Sequence, residues 1–123
     1  MSRCVASYNA RIYKDEASVA NGLGAYKARH PAALVRALTH EVADLRTLRD
    51  KLSHESASTP RGTRGKHDIT TGLGLIAIAY EALALDIKNS SATRPVAQSK
   101  VLAAIKTDKK GRDELTAGLK LLG

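Results

Sequence analysis

Phenylalanine and tryptophan are absent from this chain, and the only aromatic residues are four tyrosines. Leu, Ile, Val and Ala must therefore fill any core, and no aromatic platform for stacking bases is visible. One cysteine, Cys4, excludes a disulfide within the chain and a cysteine-ligated zinc site. That usage fits a reducing compartment, and a cytoplasmic location is expected. Arg3, Arg11, Lys14, Asp15 and Glu16 interrupt the N-terminal region, so no signal-peptide core forms there. The longest apolar run, Leu73 to Leu85, is broken by Glu81 and followed by Asp86. It is too short and too charged to be expected in a membrane.

What is present is positive charge and helical periodicity. Lys and Arg number 20 against 12 acids, a formal net charge of +8. That balance favours a polyanionic partner: RNA, DNA or an acidic protein surface. The 123 residues fit one domain, and 43% are hydrophobic, enough for a single core. Alternation of period two does not appear. The fold class expected is all-α, a small bundle of four to five helices.

Val5, Tyr8, Ile12 and Val19 place a first helix over 4–20, and Asn21-Gly22-Leu23-Gly24 is expected to break or bend it. A second helix starts at His30-Pro31, with proline in its first turn. Its stripe of Leu34, Leu38, Val42, Leu45, Leu48 and Leu52 is the clearest periodic signal in the chain. Residues 53–68 are polar, glycine-bearing and basic, and read as a long exposed loop. A third helix, from about Ile69 to Asn89, is apolar almost all round and must be covered on several sides, which points to a homodimer. After a turn at Asn89 to Thr93, Pro95 opens a fourth helix. A charged break at Asp108 to Arg112, containing Gly111, precedes a short last helix with Leu115, Leu119 and Leu122.

Chemistry concentrates in Leu48-Arg49-Asp50-Lys51-Leu52-Ser53-His54. Arg49 falls four residues after Leu45 and three before Leu52, inside the apolar stripe. A cation there needs an anion, supplied either by a ligand or by an acid such as Glu81 or Asp86. If the helix ran on unbroken, His54 would lie about 140° around it from Arg49. Convergence then requires an early end to the helix or a second subunit. Arg61, Arg64, Lys66 and His67 in the basic segment are candidates for gripping a phosphate backbone. The letters of a dinucleotide fingerprint at Gly72-Leu73-Gly74-Leu75-Ile76-Ala77 follow no strand, and close helix packing explains them better. His30, His40 and His67 have no evident ligand partners in sequence, so no metal and no cofactor are expected.

The arginine, the polar Asp50, the spacing to His54, and the polar segment leading into an alanine-rich apolar helix together resemble the HEPN superfamily. The flow from the motif into Gly72–Ile87 looks like its abortive-infection C-terminal branch. The resemblance covers about residues 31–90. It implies a helical dimer that cleaves RNA without metal, of the kind found in toxin or antiviral-defence systems, with a restraining protein partner. His54 would move a proton, Arg49 would hold the phosphate, and Asp50 would orient them. The other reading is a non-catalytic basic dimer that binds nucleic acid or an acidic protein as a regulator. Its helix-turn-helix variant, over Val96 to Leu122, finds only generic residues.

Overall fold

The computed structural model describes residues 2–27, 31–91 and 93–122, with side chains from residue 10 onward except 24, 25 and 27. Cys4, Val5, Tyr8 and His30 lie outside these described side chains. Four helices follow one another: α1 (Ser2–Lys27), α2 (Pro31–Ser53), α3 (Pro60–Lys88) and α4 (Gln98–Leu122). Among the described residues there is no strand. The fold is a small all-α bundle. Each helix packs on the next in sequence, and α3 and α4 share the most extensive interface.

The α2 stripe behaves as its spacing dictates. Leu34, Leu38, Leu45, Leu48 and Leu52 are all at most 2% exposed, and Val42 is buried beside them. Burying each leucine contributes roughly 1.5–3 kcal/mol. One half of the stripe meets Ile69, Leu73, Ile76 and Ala77 of α3. The other half, Leu34 and Leu38, meets Ala84 and Ile87.

Three sequence expectations need correction, and glycine or capping chemistry explains each. First, α1 runs through Gly22 without a break. Gly22 is a contact point: a Cβ there would stand 2.8 Å from the Leu34 Cα. Second, the basic segment is mostly helix, and the loop is confined to 54–59. Thr59 caps α3, its Oγ1 accepting from the Gly62 N–H at 2.9 Å, and Pro60 occupies the first turn. Hence Arg61, Gly62, Thr63, Arg64, Gly65, Lys66 and His67 are helical, exposed along one side and buried at Gly65 on the other. Third, α4 is continuous across Asp108 to Arg112, so the bundle has four helices. The charges there are paired along the helix: Arg112 with Asp108 at 3.1 Å, Lys109 with Asp113 at 2.9 Å.

Glycine sets the α3–α4 distance. A Cβ on Gly72 would stand 2.5 Å from the Gly111 carbonyl oxygen, and one on Gly118 would stand 2.7 Å from that of Gly65. The pairs are each seven residues apart on their own helix and run in opposite directions, an antiparallel seam of constant register. It is the close helix packing expected of the small residues at Gly72. The seam also explains how a helix without a polar face is covered: α3 is sandwiched between α2 and α4. Ile78 and Leu85 of α3 and Leu102 and Ile105 of α4 remain more than half exposed. By length and composition α3 is apolar enough to cross a membrane, with mean hydropathy 1.4, but 44% of that stretch is buried within the bundle.

The seam makes a sharp prediction. Gly72→Ala must push backbone from backbone and should destabilise by about 1–3 kcal/mol despite alanine's better helix propensity. Gly74→Ala, two residues along, meets only the flexible Arg49 guanidinium at 3.3 Å and should be neutral or stabilising. Urea denaturation of the two variants checks the contrast; equal effects would contradict it.

Candidate functional site

The Arg49–His54 segment closes α2. Arg49 is half-buried on the side facing α3, and its Nη1 lies 3.3 Å from where a Gly74 Cβ would stand. Gly74 thus makes room for the guanidinium. Neither acid considered for it in the sequence is its partner: Glu81 pairs with Arg46 at 2.6 Å, and Asp86 with Lys100 at 3.6 Å. Among the described residues Arg49 has no ion pair.

Helix α2 ends at Ser53, one residue past Leu52, so the early end occurs and His54 lies beyond the helix. His54 stands one residue beyond, exposed, with Nδ1 2.7 Å from the Asp50 carbonyl oxygen. A carbonyl only accepts, so Nδ1 carries the proton. In the neutral ring Nε2 is then a free base facing outward. Asp50 contributes this backbone contact, and its side chain is exposed. Arg49 is half-buried against α3, and His54 is exposed just past the end of α2.

The basic residues divide into two kinds. Lys66 donates to the carbonyls of Ser53 and Glu55 at 3.0 and 2.7 Å, satisfying the open C-terminal end of α2. Arg61 donates from Nε to the Leu121 carbonyl at 2.8 Å and so closes the end of α4. Arg64 and His67 are exposed on α3.

Sequence reading missed the buried acids. Asp15, Glu41 and Asp44 are each at most 4% exposed. Glu41 lies on the inner face of α2, beside a cavity of about 90 Å³ that Glu16, Arg112 and Leu115 also line. Arg112 spans this region, donating to Glu16 at 2.9 Å and to the Tyr80 hydroxyl at 2.7 Å. Both Glu41 oxygens lack a hydrogen-bond partner among the described residues. Burial first, and the neighbouring Glu16 charge second, push its carboxyl up to about 8.

A second cluster lies between α1 and α2. Nε2 of His40 stands 3.3 Å from Asp15 Oδ1 and 3.5 Å from Asp44 Oδ2. Arg11 donates to Asp44 Oδ1. Burial, then the adjacent Asp44, raises the Asp15 carboxyl to about 6. The sequence offered no carboxylate partner for His40; the fold supplies two, one of them a turn away at i,i+4. That spacing was legible, whereas Asp15 reaches the cluster only through the α1–α2 packing.

Glu41 should give stability a pH signature. Its pKa rises from an ordinary 4.5 to about 8 on folding, so between those values the folded state holds more of the proton. Its contribution to stability is therefore greatest below pH ~4.5 and is lost as pH rises through ~8. Glu41→Gln should be more stable than wild type above pH ~8, with the difference shrinking toward pH ~5. Urea midpoints across this range test it; a constant difference would assign the pH dependence elsewhere.

Comparison of the chain with protein-family models, with curated proteins and with solved structures finds no match.

Proposed function

We propose that the protein is a metal-independent RNA endonuclease of HEPN type whose site is completed by a second copy of the chain. The observation that carries this reading is Arg49: a half-buried guanidinium, given space by Gly74, with no acidic partner among the described residues. Such a cation is suited to an anionic ligand, and a guanidinium matches phosphate geometry. His54 adds an outward-facing basic nitrogen held in one tautomer by Asp50. A net charge of +8 draws a polyanion to the surface. Arg64 and His67 are the basic groups left exposed for backbone contact, with Arg61 and Lys66 adding their charge from the helix ends.

The reaction needs three things from these residues. Arg49 binds a non-bridging phosphate oxygen and stabilises the charge that builds up there. Nε2 of His54 removes the proton from the ribose 2′-hydroxyl, and that oxygen attacks the phosphorus while the 5′-oxygen leaves with a proton. The products are a 2′,3′-cyclic phosphate and a 5′-hydroxyl, and DNA, without the 2′-hydroxyl, is inert. One chain carries one motif, so the productive pair is Arg49 of one protomer with His54 of the other. The apolar side chains left exposed on α3, Ile78 and Leu85, are suited to the dimer contact. A toxin or defence setting, with a protein that restrains the activity, follows from the resemblance alone.

The net charge of +8 equally suits a second reading, a non-catalytic basic bundle that binds nucleic acid or an acidic protein. Incubation with single-stranded RNA in EDTA separates the two. The nuclease reading expects cyclic-phosphate ends, loss of at least ~10²-fold in rate in His54→Ala, and a comparable loss in Arg49→Ala. Light scattering should find a dimer at tens of micromolar. Mixing the two inactive variants should restore part of the activity through mixed dimers that carry one intact composite site. A monomer, or RNA bound but never cut, would leave the binding module.

A further inference from the structure

We propose that Asp15, His40 and Asp44 form a binding site for a divalent transition-metal ion, with Zn2+ the preferred occupant. Each residue offers one donor atom, and the three donors lie within 4.8 Å of one another. The two distances from His40 Nε2, 3.3 Å to Asp15 Oδ1 and 3.5 Å to Asp44 Oδ2, match those between ligands of one tetrahedral ion. Donors each ~2.0–2.1 Å from a tetrahedral centre stand roughly 3.3–3.5 Å apart.

A cluster of acids alone would not point to a ligand. Here the carboxyls are buried, at 4% exposure each, and Oδ2 of both Asp15 and Asp44 has no hydrogen-bond partner among the described residues. Two buried, adjacent carboxylates with unsatisfied oxygens are costly unless a cation joins them. Arg11 donates to Oδ1 of Asp44. The cluster sets two carboxyl groups against one guanidinium, Arg11, and a divalent ion supplies further positive charge.

The donor set selects the metal class. Two carboxylates and one imidazole suit Zn2+, Fe2+ or Mn2+, whereas Ca2+ and Mg2+ prefer oxygen-only shells. Among these, affinity at an unstrained site rises toward zinc. Three protein ligands leave at least one coordination position for water. The imidazole is two-thirds exposed and provides the entry route, and it also lines an open groove of about 410 Å³ with Arg36, Asn21 and Ser18. The site lies between α1 and α2, apart from Arg49 and His54, so it stands or falls independently of the RNA-cleaving reading.

Calorimetric titration of tag-free protein with ZnCl2 tests it. One ion per chain is expected, with weaker Mn2+ binding and no response to Mg2+. Co2+ should give the visible absorption of a four-coordinate site. His40→Ala and Asp15→Asn should each weaken zinc by roughly 100-fold. Asp15→Asn removes a buried charge from beside Asp44 and should remain at least as stable to urea without metal, so its loss of binding would not reflect unfolding. Absence of binding at millimolar zinc would overturn the proposal. So would affinity unchanged in Asp15→Asn, which would place the ion on the exposed histidines His54 or His67.

Discussion

Helices α3 and α4 approach so closely at Gly72–Gly111 and Gly65–Gly118 that no side chain fits between their backbones. The absence of four Cβ atoms lets the carbonyl of one helix lie against the backbone of the other, and the seven-residue spacing repeats the contact along the pair. Ile69 and Ile76 fill the flanks of each glycine contact. Because α3 is fixed to α4 on one side, its other side is presented to the α2 leucine stripe. The position of α2 then fixes α1 through Gly22 and Leu34. Leucine burial supplies most of the driving force, but it is non-directional. The glycines decide which faces meet.

The polar interior follows from that arrangement. A core made of Leu, Ile and Ala leaves a small cavity where all four helices converge; Glu41, Glu16 and Arg112 line it, and Tyr80 accepts from Arg112. Arg112 satisfies three different partners from α4, α1 and α3, tying together helices that are distant in sequence. Glu41 has no such partner and is held neutral by burial. Buried acids of this kind cost stability, and cost more as pH rises. The two clusters differ in chemistry. Around Glu41 a proton resolves the charge; between α1 and α2, two carboxyls and an imidazole converge at the spacing of a single ion.

The positive surface serves folding as well as any anionic partner. Lys66 and Arg61 each complete the C-terminal end of a helix other than their own, where unsatisfied carbonyls concentrate negative potential. A basic residue at such a place is partly structural. Arg49 differs in having no carbonyl or acid bound to it among the described residues. That difference, more than net charge, singles it out as the residue around which an anion-binding site is best argued.

Sequence by itself determined the all-helical fold, the boundaries of α2 and its buried face, because a leucine stripe at period 3.6 has one way to be buried. It also contained the signs of the α3 start, Thr59 and Pro60, which the polar composition of their surroundings outweighed in the reading. Glycine was the recurrent difficulty: Gly22 and Gly111 look like breaks when only one helix is considered, and become contacts when the neighbouring helix is present. The tertiary structure alone decided those contacts, the pairing of Glu81 with Arg46 instead of Arg49, and the meeting of Asp15 with His40 and Asp44. Each of these joins residues on different helices, and local periodicity carries no information about which two helix faces come together.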